Sequence, residues 1–231
     1  MAFGPEMHAL PKEGAPPVVL KAITPEEAPL LPEIDYSSAI ARILPRGYVH
    51  ELNDQRDPDS LGYMRLAEFR NNMHWGIFAG GPDHARPIGI AGFMDMRRTG
   101  KAHVRIAITD PQFHGQGVAS RTYPLMSWAA RGAGEQRVTA AVREDNRASR
   151  ALHARMGFVC VGESTGLGGP AYKDLRQYLE ADVLSTDALF EERVRADAER
   201  GIVIDTEALR AARLRTLHVL DLADVHMTTH V

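Results

Sequence analysis

Val104-Arg105-Ile106-Ala107-Ile108-Thr109-Asp110-Pro111-Gln112-Phe113-His114-Gly115-Gln116-Gly117-Val118-Ala119 decides how the rest of the chain is read. Its first six residues are rich in β-branched side chains, as a strand is, and Asp110-Pro111 ends the strand because proline has no N–H to give to a ladder. Val118, Thr122, Leu125, Met126 and Ala129 then recur at the spacing of one helical face. Gly115 and Gly117 therefore lie between a strand end and a helix N-terminus. Bare backbone lets a ligand approach closely there, and the first amides of a helix have no partner within it, so the turn suits a phosphate or pyrophosphate. Two glycines are also what a plain tight turn uses. The spacing is neither a Walker A loop nor a dinucleotide fingerprint, since no Gly-Lys-Ser/Thr and no third spaced glycine follows.

Downstream, Arg137–Val142 alternates as a strand does, and Asn146 caps a helix over 147–156. Gly157 is placed as its C′ residue, and Phe158-Val159-Cys160-Val161 re-enters a strand. His114-x-x-Gly117-x-Ala119 resembles the pyrophosphate loop of the GNAT superfamily of N-acetyltransferases, Gln/Arg-x-x-Gly-x-Gly/Ala. Asn146-x-x-Ser149-x-x-Leu152-His153-x-x-x-Gly157-Phe158 resembles that superfamily's second signature, Asn-x-x-Ala-x-x-Leu-Tyr-x-x-x-Gly-Phe. The two occur in the family's order with one helix and one strand between them.

Working outward, the chain has 231 residues, 44% hydrophobic and 25% charged, enough for one well-buried domain and an appendage. A net charge of −3 gives no global electrostatic case for a nucleic-acid partner or an anionic membrane surface. No apolar run approaches a membrane span, and the first residues lack a basic segment followed by an apolar core, so a cytoplasmic protein is expected. The single cysteine, Cys160, excludes an intramolecular disulfide and in its Val-Cys-Val setting reads as a small core residue.

Residues 1–17 are rich in Pro and Gly and read as a flexible arm. Strands are expected at 18–23, 75–79 and 87–96, the last two joined by a turn at 80–83. A helix over 60–72 would present Leu61, Met64, Leu66, Ala67 and Phe69 as its apolar side, and Pro45–Asp54 reads as loop. The element order fits a mixed α/β sheet. With the resemblance it implies a GNAT-like, mostly antiparallel central sheet flanked by helices over residues 18–181, with a last strand near 171–179. Residues 182–231 remain as a helical C-terminal extension, with helices near 187–200 and 206–224 whose apolar surface would dock on the domain or form a homodimer. His218, His226 and His230 have no ligand-grade spacing, so no metal is expected.

The resemblance implies transfer of an acetyl group from acetyl-CoA, as cosubstrate, to a small-molecule or peptide amine by direct attack. Ile108, His114, Gly115, Gln116, Gly117, Val118, Ala119 and Ser120 would hold the pyrophosphate side, and Asn146 and Ser149 the pantetheine side. The family's proton-donating tyrosine is His153 here, and the residue nearest its frequent glutamate base is His103; either histidine can exchange a proton near neutral pH. Loss of both usual residues leaves a second class open, a GNAT-fold binding module without catalysis. Pro124, inside the helix after the loop, is expected to bend it.

Overall fold

Met73–Ala79 is buried at every position, and a strand covered on both faces belongs in the middle of a sheet with a layer on each side. The computed structural model describes residues 3–9, 15–44, 46–68, 72–79, 86–94, 101–133, 135, 137–165, 175–182 and 202–203. The strands are β1 (Met7–Ala9), β2 (Val18–Lys21), β3 (Met73–Ala79), β4 (Gly89–Met94), β5 (Lys101–Ile108), β6 (Arg137–Arg143), β7 (Val159–Thr165), β8 (Leu175–Asp182) and β9 (Ile202–Val203). They form one sheet in the order β7-β8-β6-β5-β4-β3-β2-β1-β9. Neighbours run antiparallel except β5 and β6, which are parallel.

Among the described residues five helices cover the sheet: α1 (Ala39–Ile43), α2 (Arg46–Asp54), α3 (Leu61–Glu68), α4 (Val118–Gly132) and α5 (Arg147–Arg155). Side-chain alternation splits the core in two. Trp75, Ile77, Phe93, Val104, Val138 and Val142 face α4, where Val118, Leu125, Met126 and Ala129 meet them. Ile23, Ile90 and Ala107 face the other way, against Leu31, Val49, Leu52 and Tyr63. Helix α4 runs through Pro124 to Gly132 as one element. Among the described residues no helix is long and apolar enough to cross a membrane.

Several expectations are corrected. Residues 3–9, expected within a flexible arm, are held in place: β1 pairs with β2, Met7 is fully buried, Gly4 N donates to His74 O, and Trp75 Nε1 donates to Pro5 O at 2.8 Å. Buried Met7 and Ala9 repay the ordering of a Pro/Gly-rich stretch. Met7→Ala is therefore expected to cost about 2–3 kcal/mol of stability, read as a lowered urea midpoint; a flexible arm would show no change.

Pro45–Asp54, read as loop, contains α2. Gly47 weakens the local helix signal by roughly 1 kcal/mol, but burial of Val49 and Leu52 overrides it. Asn53 bonds both Ile34 N and Ile34 O, at 2.8 and 2.9 Å, and pins the helix. In α3 Tyr63 is buried, with its hydroxyl on Ile23 O, whereas Leu61 and Met64 are exposed; the side chains of Leu66 and Ala67, and Phe69, lie outside the described residues. Cys160 is exposed as well, because β7 is an edge strand. After β8 the chain returns to add β9 beside β1 at the opposite edge. The expected turn at 80–83, the helices near 187–200 and 206–224, and the tail histidines lie outside the described residues.

Candidate active site

The parallel pair at the centre of the sheet comes apart. Strands β5 and β6 pair only at Lys101↔Arg137, Ala102↔Val138 and His103↔Thr139, yet β5 runs on to Ile108 and β6 to Arg143. Thr109 N donates to Ile88 O, and backbone groups alternate in direction along a strand. His103, Arg105 and Ala107 thus direct their amides and carbonyls at β4, while those of Ile106 and Ile108 face the gap. A cleft of about 1170 Å³ fills that gap, walled by Val104–Ile108 and Ala140–Arg143.

At one end stands the glycine turn. Asp110 accepts from Gln112 N and from Arg86, at 3.0 and 2.6 Å, which fixes the descent from β5. Gly115 and Gly117 have φ of 76° and 75°, the left-handed region that glycine enters without strain. Gly117 is the N-cap of α4, so the amides that open this fifteen-residue helix lie at the cleft wall with Val118, Ala119 and Ser120. Two side chains of the turn are braces. His114 Nε2 donates to Ile108 O at 2.9 Å, and Gln116 Nε2 donates to Gln112 O at 2.6 Å. His114 still lines the cleft, with Gly115, Gly117 and Ile108.

Asn146, Ser149 and His153 line the same side from α5. Asn146 Oδ1 accepts from Ser149 N at 3.1 Å, the helix cap written in the sequence. His153 is 3% exposed and stacks edge-on between Tyr123 and Phe158, with ring centroids at 5.3 and 4.9 Å. Its Nδ1 donates to Ser149 O at 2.7 Å. Burial pushes its pKa down against that hydrogen bond, so the ring is neutral and Nε2 carries a lone pair.

His103 sits on the opposite face, at the fork, with Nδ1 3.2 Å from Thr139 Oγ1. The two candidate histidines are therefore not side by side; the gap between the strands joins their compartments. Around His103 lies a polar group that sequence reasoning missed. His74, Gly92 and Arg105 form a row across β3, β4 and β5. Arg105 Nη1 and Nη2 donate to the two Glu51 oxygens at 2.6 and 2.7 Å, and the Tyr48 ring lies 4.3 Å from the guanidinium. Burial works against the Arg105 charge, but Glu51 outweighs it and holds the pKa above the usual arginine value. Gly92 has to be glycine, since a Cβ there would overlap His74 Nδ1.

His74 is 3% exposed, and burial, helped by the Arg105 charge and opposed by Glu51, pushes it down to about 4 from 6.5. As pH falls below 6.5 the unfolded chain takes up a proton that folded His74 refuses until about 4. Its stabilisation is thus complete above 6.5 and is lost progressively towards 4, by roughly 3 kcal/mol in all. Urea midpoints measured from pH 7.5 down to 4.5 are expected to fall less steeply for His74→Gln than for the parent; equal slopes would contradict this.

A mixed, mainly antiparallel sheet whose central parallel strands diverge beside a left-handed glycine turn matches the GNAT fold. The family model of the acetyltransferase (GNAT) domain matches residues 18–159, and the chain belongs to that family. Solved structures agree on the fold. The ribosomal-protein-S5-alanine acetyltransferase from Vibrio fischeri shares 16% identity over 72% of this chain and 93% of its own, with a TM-score of 0.59. A ribosomal L7/L12 α-N-protein acetyltransferase, RimL, solved with coenzyme A shares 20% over 72% and 94%, with a TM-score of 0.58. RimJ from Mycobacterium smegmatis, solved with CoA-disulfide, shares 17% over 87% and 96%, with a TM-score of 0.55. Comparison with curated proteins by sequence gives no significant match.

Proposed function

We propose that the chain is an N-acetyltransferase that binds acetyl-CoA in the gap between β5 and β6 and passes its acetyl group to an amine held on the α2 face of the sheet. One observation carries this: Ile106 and Ile108, beyond the last β5–β6 pair, share a cleft with a left-handed glycine turn at a helix N-terminus. RimL, named an acetyltransferase and solved with coenzyme A, and RimJ, solved with CoA-disulfide, support the choice of ligand. The amides of 117–120 would hold the pyrophosphate, Asn146 and Ser149 would flank the pantetheine, and Ile106 or Ile108 N–H would meet the oxyanion.

Acetyl-CoA supplies an activated thioester. The amine nitrogen bonds to the carbonyl carbon, the C–S bond breaks, and the amine loses a proton. His103 at the fork is assigned as the group that takes that proton. His153 is assigned as an acceptor at the thiol end, because its Nδ1–H is committed to Ser149 O and its Nε2 has none to give; the proton that His103 took from the amine is released to solvent, and the thiolate takes up one from solvent in its place. Following free thiol while the protein is offered acetyl-CoA and a panel of amines tests the proposal. Amine-dependent release of CoA supports it; CoA binding without transfer to any amine would make the chain a binding module.

A further inference from the structure

We infer that the acceptor carries a single amine with an apolar group beside it, received by Glu51 and an apolar rim of Ile40, Ile43, Leu44 and Met94, and that polyamines are excluded. The inference rests on the transfer reaction proposed above and names its substrate class. Glu51 reaches the cleft from α2 and is gripped by both Arg105 Nη atoms. Its side chain is 27% exposed against 15% for Arg105, so the carboxylate is the outer partner of the pair. Both of its oxygens accept charge-assisted hydrogen bonds from the Arg105 guanidinium. The carboxylate is suited to receive an N–H.

Charge counting sets the class. Among the described residues that line the cleft, Glu51 is the one acid, and it is matched by Arg105; Arg155 adds positive charge to the wall, and Arg143 is paired with Asp145 at 2.7 Å. A polyamine brings two or more ammonium groups, and the second would meet the Arg155 cation and no further acid among the described lining residues, a repulsion that works as discrimination. His74, kept neutral by burial, adds neither sign to the floor. Ile40, Ile43 and Leu44 are half-buried at the mouth, and Met94 lies on the same face with its Sδ against Arg105. A carbon side chain next to the amine would cover them.

The test compares acetyl transfer to a tetrapeptide with amino-terminal isoleucine, one with amino-terminal lysine, isoamylamine and spermidine. The isoleucine peptide or isoamylamine is expected to exceed spermidine at least a hundredfold in kcat/KM, and the two arms tell a peptide source from a free amine. Glu51→Gln is expected to raise the acceptor KM about tenfold with CoA affinity unchanged. Ile43→Glu, at a half-buried site that tolerates a polar group, is expected to lower transfer to the isoleucine peptide and to raise transfer to spermidine. A parent enzyme that prefers spermidine, or an acceptor KM that neither variant moves, would overturn the inference while leaving the transfer reaction intact. Calorimetry of the same acceptors against the CoA-loaded protein separates the two failures. Binding of the isoleucine peptide or isoamylamine, but not spermidine, supports the inference even if no acetyl group moves, and equal or reversed binding overturns it.

Discussion

Gly117→Val is expected to weaken CoA binding by two orders of magnitude or more while the far-ultraviolet spectrum stays that of the parent. Gly117 holds φ 75° and ψ 4° as the N-cap of α4, a conformation that costs a β-branched residue about 1–2 kcal/mol or more. A Cβ at this position would meet nothing nearer than Ala15 Cβ at 3.9 Å. The effect is thus one of backbone, not of collision. Valine relieves the strain by turning the peptide planes on either side, and the amides of the first helical turn cease to converge. Each hydrogen bond to a charged group contributes about 1.5–3 kcal/mol, so losing two exceeds the roughly 2.7 kcal/mol that a hundredfold change in Kd requires. Calorimetric titration with CoA reads the loss. Parent-like affinity in a folded Gly117→Val would show that the turn does not hold the ligand.

His103→Ala is expected to lower kcat for acetyl transfer by about a hundredfold or more, the range in which a positioned base contributes, with CoA affinity unchanged. His103 stands at the last paired position of the fork, on the face that also carries Arg105 and, from α2, Tyr48 and Glu51. A group that only packed there would be replaced by glutamine with little effect on turnover. The diagnostic comparison is therefore His103→Gln, which keeps the polar contact with Thr139 within reach but cannot take a proton. Near-parent kcat in His103→Gln would remove His103 from the chemistry.

What could be read from the sequence follows a physical divide. Gly115, Gly117, Asn146 and Gly157 were legible because each answers a local backbone demand, a positive φ or an unpaired helix end, that only a few residue types meet. The apolar faces of α4 and β6 were legible for the same reason, since one element contains the whole pattern. The row His74–Gly92–Arg105 and the clamp from Glu51 were not, because they are assembled from three strands and a helix far apart in the chain. Their only local trace is a glycine in an otherwise apolar strand, Gly92, which marks a close approach without naming what approaches.

Edges misled in both directions. Alternation in Val-Cys-Val fits a central strand as well as an outer one, and Cys160 is exposed because β7 has a neighbour on one side only. At the other margin, Pro/Gly-rich composition hid a three-residue strand whose burial against β2 depends on residues not in its own segment. Helix α2 was obscured by Gly47 and Pro45, yet it supplies Tyr48 and Glu51. The glycine turn and the helix caps are thus written locally, and the Arg105–Glu51 face is written in tertiary packing.

Amide hydrogen exchange with and without saturating CoA tests most directly whether the diverging strands and the glycine turn grip the ligand through their main chain. The account predicts slowed exchange at Ile106 and Ile108 and across Gly117–Ser120, with little change at the β1–β2 edge. Unchanged exchange at all of those amides in a protein shown to be saturated would contradict it.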